Sequence, residues 1–163
     1  LKAEELNVNQ LKWAQNHVRI LSGLYGILRP MDLTKAYRLM MGTPFSPSKA
    51  HKNLYSFWNT QLAENLKRDL DQKGTLVNLA SSEYFKAIDL NILDRKIITC
   101  EFKEQKGEKL SIVSTYAKLA RGKMARFIID HKIDKPAHLR DFDVDGYRFE
   151  KSVSTENELV FVR

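Results

Sequence analysis

Residues 96–131 constrain the fold of this chain more than any other part of it. Two strand-like runs, 96–103 and 109–114, flank a Lys-Gly turn around residues 105–108 and read as a β-hairpin. The second run passes without a breaker into residues 115–131, TYAKLARGKMARFIIDH, the clearest helical periodicity in the sequence. Ser114 or Thr115 stands ready as the N-cap. On a helical wheel Tyr116, Ala120, Met124, Phe127 and His131 share one face, with Leu119 and Ile128 at its margins. Lys118 and Arg121 lie roughly opposite, beside Gly122, Ala125 and Ile129, and Arg126 flanks them. A glycine inside a helix costs about 1 kcal/mol relative to alanine, so Gly122 suggests a close approach at that face. Cations beside small side chains suit a polyanion's backbone; an ordinary solvated face is the alternative.

Elements of both kinds flank this segment. Residues 1–15 read as a short helix leading into a strand at 17–21. Residues 22–33, SGLYGILRPMDL, form an unusual loop: its two glycines suggest a sharp turn, and Pro30 pushes Arg29 into an extended conformation. Asp32 is placed to cap a helix carrying Leu33, Ala36, Tyr37 and Met40 on one face, with Arg38 off that face. GTPFSP, residues 42–47, reads as a surface turn. A helix over 54–72 has Leu54, Trp58, Leu62, Leu66 and Leu70 as its buried stripe, and Phe57 and Trp58 read as core rather than as a stacking platform. Residues 75–80 read as a buried strand, 146–150 and 158–162 as closing strands. The class is mixed α/β: a single domain over 1–163, with a mixed sheet flanked by helices.

The net charge of +7 is uneven. Residues 1–74 carry +5 and 113–135 carry +4, while 75–112 are neutral and 136–163 carry −2. That placement suggests a polyanionic partner. No apolar run is long enough to span a membrane. Cys100 is the only cysteine and sits in an apolar strand pattern, where a buried, unreactive thiol is expected and no disulfide framework exists; a reducing cytoplasm fits. Asp141, Asp143, Asp145 and Gly146 match the start of a calcium loop, but Ser152 stands where a bidentate Glu is needed, so the segment reads as an acidic turn. The four histidines are scattered, without metal-ligand spacing, and no metal or cofactor is expected. His131 reads as a packing residue at a helix end.

A second polar cluster follows the strand at 75–80. Asn78 lies inside that strand, and Ser81, Glu83, Tyr84 and Lys86 come directly after it, where α/β sheets place binding groups. Helix capping by Ser81 or Ser82 explains part of the cluster without any function.

SGLYGILRPMDL, YRLMMG, LYSFW, LVNLASSEYF, YAKLARGKMARFII and the closing LVFVR together resemble the YaaA peroxide-stress-response family, in order from about residue 18 to 163. The resemblance implies a cytoplasmic protein that limits peroxide damage, partly by keeping unincorporated iron low, with a distinctive α/β fold, a positively charged cleft and an ability to bind DNA. It also implies that this is the C-terminal part of a longer protein, without a region associated with a helix–hairpin–helix element. Carried over by motif, the family positions are Arg29, Pro30, Arg38, Asn78, Ser81, Glu83, Tyr84, Lys86, Lys118, Arg121, Gly122 and Arg126. Met40 stands where the family commonly has Glu. The leading expectation is DNA binding in a basic groove built from Arg29, Arg38, Lys86, Lys118, Arg121 and Arg126. The alternative is an enzyme acting on a nucleotide or modified base, with Asn78, Ser81, Glu83, Tyr84 and Gly122 lining the pocket. Direct iron binding finds no support in the ligand pattern. The oligomeric state is not legible in the sequence.

Overall fold

The computed structural model describes residues 1–163. The main chain divides into two compact units, one formed by Leu1–Gln10, Thr75–Leu79 and Lys96–Arg163, the other by Leu11–Gly74 and Ala80–Arg95. The first boundary falls within helix α1 (Val8–His17).

The first unit holds the main sheet. Strands β3 (Thr75–Asn78), β4 (Lys96–Lys106), β6 (Arg148–Phe149) and β7 (Glu158–Val162) run in the order β3-β4-β7-β6, and β5 (Lys109–Ser111) pairs with the far end of β4. The β3–β4 and β4–β7 pairs are parallel, the β6–β7 and β4–β5 pairs antiparallel. The sheet is therefore mixed, and the 105–108 hairpin is present. Along β4 the residues Ile98, Cys100 and Phe102 alternate into the core, as a strand with one packed face requires. Phe102 stacks on its register partner Phe161 at 5.3 Å, and Phe142 and Tyr147 meet Phe102 edge-on. Helix α5 (Ser114–His131) closes this core with Ala117, Ala120 and Met124.

Two expectations for α5 change. Its N-cap is Val113, with no side-chain cap from Ser114 or Thr115. The buried stripe is also displaced: Tyr116 and Leu119 are exposed, while Ala117 and Ile129 are buried. Packing against a twisted sheet, rather than side-chain hydropathy alone, selects the small residues for the interface. The helix ends on Lys132 in the left-handed region (φ 48°). Its N–H reaches Ile129 and the N–H of Ile133 reaches Ile128 at 3.0 Å, the paired bonds of a Schellman motif.

The second unit is built on α2 (Leu54–Asp69), with Asn53 and Ser56 forming a reciprocal capping box and Leu54, Leu62 and Leu66 buried. The SGLYGIL stretch is a small hairpin, β1 (Ile20–Ser22) against β2 (Gly26–Leu28), rather than a loop. The helix expected after Asp32 does not form, and Leu33 is 99% exposed. Hairpin side chains bond this segment instead. The Tyr25 hydroxyl accepts from the Lys35 N–H at 3.2 Å, and the Tyr37 hydroxyl meets Ser22 Oγ at 2.5 Å. Asp32 turns back to accept from the Arg29 N–H at 2.8 Å. Two four-residue helices, α3 (Ser82–Phe85) and α4 (Leu90–Leu93), complete the unit, the latter capped by Asp89. No helix is long and apolar enough to cross a membrane.

Candidate functional site

Glu83, Tyr84 and Lys86 cluster in the second unit, Lys118, Arg121, Gly122 and Arg126 lie on α5 in the first, and Arg29 and Asn78 stand apart from both groups. In the second unit the segment 37–42, YRLMMG, lies between the hairpin and α3. A Cβ on Gly23 would stand 2.4 Å from the Leu39 carbonyl oxygen, so only glycine admits the segment there. At its far end the Gly42 N–H donates to Glu83 Oε1 at 2.8 Å, and the Tyr55 hydroxyl lies beside the same glycine. Lys86 places its ammonium 4.6 Å from the centre of the Tyr55 ring, a cation–π contact. Partial burial raises the Tyr84 pKa; a hydrogen bond with the Met41 backbone works the other way, and the Glu83 charge adds to the rise. Glu83, Tyr84 and Lys86 thus meet Tyr37, Gly42 and Tyr55 in one polar cluster. Ser81 starts α3 through its carbonyl, which accepts from the N–H groups of Tyr84 and Phe85, and not through its side chain.

Tyr37 and Tyr55 are members that sequence reasoning did not single out. Tyr37 looked like part of an apolar helix face; its hydroxyl contact to buried Ser22 has no local signature. Met40, at the position where Glu is common, is 56% exposed and offers no carboxylate, so the carboxylate at this segment is the one that Glu83 brings from α3. Asn78 belongs to the first unit, buried on β3, where its amide donates to its register partner Thr99 at 3.3 Å.

In the first unit α5 carries Lys118, Arg121, Gly122 and Arg126. Lys118 is exposed and unpaired. Arg121 is half-buried without a carboxylate partner, and that burial lowers its pKa. Arg126, by contrast, is fully engaged: it binds Asp130 at 2.8 Å, one turn along the helix, and Glu5 at 3.4 Å, with the Lys2 carbonyl also in reach. The Asp130 hydrogen bond is the main cause of its raised pKa. Gly122 lies 3.3 Å from the Leu1 nitrogen, measured from where its Cβ would be, so the close neighbour at that face is the chain itself.

Arg29 is likewise committed. It meets Asp69 at 3.3 Å, and Arg19 holds the same carboxylate at 2.6 Å. Partial burial pushes the Asp69 pKa up, but the two guanidinium groups outweigh it and hold the carboxyl below its ordinary value. Arg38 is exposed and unpaired. Of the six cations expected to bind phosphate, Arg38, Lys86, Lys118 and Arg121 are without a carboxylate; Arg126 is neutralised, and Arg29 shares the one Asp69 carboxylate with Arg19.

The acidic turn is tied down as well, Asp143 to Arg148 at 3.4 Å and Asp145 to Lys123. Burial pushes the Cys100 thiol up to about 12, which leaves it protonated and unreactive at neutral pH.

An α/β chain with a polar cluster at the 37–42 segment and unpaired cations on α5 is the class defined so far. A family model described as peroxide stress protein YaaA matches residues 1–153. Among relatives, a UPF0246 protein of Caulobacter vibrioides is 49% identical over the whole of this chain and 64% of its own length. UPF0246 proteins of Variovorax paradoxus and Neisseria gonorrhoeae are each 48% identical over the whole of this chain and 63% of theirs. The chain belongs to the YaaA peroxide stress protein family, and it spans just under two thirds of the length of these relatives.

Proposed function

We propose that this chain serves the cytoplasmic response to hydrogen peroxide as a DNA-binding protein, limiting intracellular iron and oxidative DNA damage. The observation that carries the reading is the division among its cations. Arg126 is spent on carboxylates and Arg29 shares Asp69 with Arg19, whereas Lys118 and Arg121 on α5, with Arg38 and Lys86 in the second unit, carry positive charge with no acidic partner. A half-buried, unpaired Arg121 gains most from an incoming anion, because its guanidinium has already lost part of its hydration. Contacts to phosphate are independent of sequence and release counterions, so binding weakens steeply with salt. Fluorescence anisotropy of a labelled duplex across a salt series tests this. Lys118→Gln with Arg121→Gln lowers the salt slope by about 2, while Arg126→Gln leaves it unchanged. Unchanged affinity in the double variant refutes the assignment.

A second reading, an enzyme acting on a nucleotide or modified base, is favoured by one observation: the Glu83 carboxylate, the Lys86 ammonium and the phenols of Tyr55 and Tyr84 meet in one cluster. Its test is conversion of a nucleotide followed by mass spectrometry, with Glu83→Gln abolishing turnover. Absence of any product across free nucleotides and duplexes bearing oxidised bases removes this reading.

A further inference from the structure

A cavity of about 310 Å³ opens in the second unit, lined by Arg29 but by neither Arg38 nor Lys86. Its inner wall is apolar and aromatic: Tyr25, Ile27, Trp58 and buried Leu62. Its rim is polar, with Arg29 and Arg68 beside Asp32, Asp69, Gln61 and Asn65. The volume lies near the lower bound of small-ligand sites, about 300–1,000 Å³.

The aromatic wall is fixed before any ligand arrives. Trp58 Nε1 donates to the Gly23 carbonyl at 2.9 Å, and the ring packs so closely on Gly26 that a Cβ there would stand 2.7 Å from it. Phe57 braces the indole edge-on at 4.8 Å. Tyr25 is fixed as well, its ring edge-on to Tyr37 and its hydroxyl bonded to the Lys35 N–H. A planar ring entering the cavity therefore meets rigid aromatic surface, which lowers the ordering cost of binding.

The rim favours an anion. Asp69 is held by two guanidinium groups and Asp32 accepts from the Arg29 N–H, so both carboxylates already have donors. Among the lining residues the guanidinium groups of Arg29 and Arg68 balance the carboxylates of Asp32 and Asp69, and Arg19, which bonds Asp69 but does not line the cavity, adds a third cation. Arg29 touches Asp69 through one nitrogen only, at 3.3 Å, and its side chain is 43% exposed. Its other N–H groups, with those of Arg68 beyond the nitrogen that donates to Asn65 Oδ1, remain to donate to a phosphate in the planar fork geometry that suits it.

We infer that this cavity binds a nucleoside monophosphate, its base against Trp58 and Tyr25 and its phosphate on Arg29 and Arg68. The site is independent of duplex binding through Lys118 and Arg121 and of chemistry at Glu83, although Tyr25 links the cavity wall to Tyr37 of the polar cluster. The full chain with Trp13→Phe gives an emission signal from Trp58 alone, since those are its two tryptophans. Titration uses adenosine monophosphate, adenosine and inorganic phosphate as separate probes. Expected is quenching by the monophosphate, with adenosine and phosphate each about tenfold weaker or worse, and a loss of about tenfold in Arg68→Gln. Arg68 is exposed at the end of α2, so this variant keeps the fold, and a matching thermal transition checks that. Lys118→Gln with Arg121→Gln and Glu83→Gln leave the titration unchanged. No quenching at millimolar monophosphate, or equal affinity in Arg68→Gln, overturns the inference even where duplex binding or turnover is found.

Discussion

Gly26 offers a sharp test of how the hairpin and the long helix hold each other. Its φ is +72°, a left-handed conformation in which an L side chain is strained by about 1 kcal/mol. A Cβ there would also stand 2.7 Å and 2.9 Å from two atoms of the Trp58 ring, far inside ordinary carbon contact. Relieving that overlap moves an indole held by its bond to Gly23, at an overpacking cost of about 1–3 kcal/mol. Gly26→Ala should therefore destabilise the protein by about 2–4 kcal/mol. Gly107 supplies the control, since its φ is +62° but nothing lies within 4 Å of its Cβ position. Gly107→Ala should lose only the backbone part, about 1 kcal/mol. Guanidinium unfolding of both variants, read by far-UV circular dichroism, measures the difference. In the Trp13→Phe background Gly26→Ala should also shift the Trp58 emission. Equal destabilisation of the two variants, with unshifted emission, would refute the claim that Trp58 is seated on the hairpin.

Three further outcomes follow from the cores and the cluster. Phe161→Ala removes a fully buried ring that contacts Phe102, Phe142 and Phe149, and should lower stability by about 3–5 kcal/mol in the same unfolding assay. Cys100 should resist a thiol reagent at pH 8 until guanidinium is added. Its folded pKa of about 12 lies above the ordinary 9.0, so its contribution to stability is complete below pH 9 and is lost as pH rises towards 12. Cys100→Ala should flatten that alkaline decline. Glu83→Gln keeps an acceptor for the Gly42 N–H but removes its charge, and Glu83→Ala removes both; amide exchange at Gly42 should accelerate in Ala more than in Gln.

The sequence read best where periodicity was long. The buried leucines of α2 are where apolar spacing put them, and the helix after the central hairpin forms as its periodicity predicts although its buried stripe is displaced. It read worst between residues 20 and 41. Two strands of three residues are too short to show alternation. The recurrence of Leu33, Ala36, Tyr37 and Met40 mimicked a helix although the Lys35 N–H and the Tyr37 hydroxyl are bonded to the hairpin. Of the candidate site, Glu83, Tyr84 and Lys86 were legible as a local run. Their partners Gly42 and Tyr55 were not, since a contact across 41 residues leaves no trace in spacing. The pairing of Arg29 with Asp69 was hidden for the same reason. That of Arg126 was half visible, for Asp130 stands at i+4 on the same helix.

The order β3-β4-β7-β6 has a consequence for how the protein is made. The strand latest in sequence, β7, is an interior strand of its sheet. A ribosome therefore releases β3, β4, α5 and β6 before the strand that joins β4 to β6. Until residues 158–162 leave the exit tunnel, β4 has an open edge, β6 has no partner in the sheet, and Phe102 and Phe142 lack the ring of Phe161. The nascent chain then exposes an unpaired strand edge and aromatic surface that invite association with other chains. This unit can close only after synthesis of β7, and a truncation that removes those few residues takes away the middle of the sheet rather than its margin.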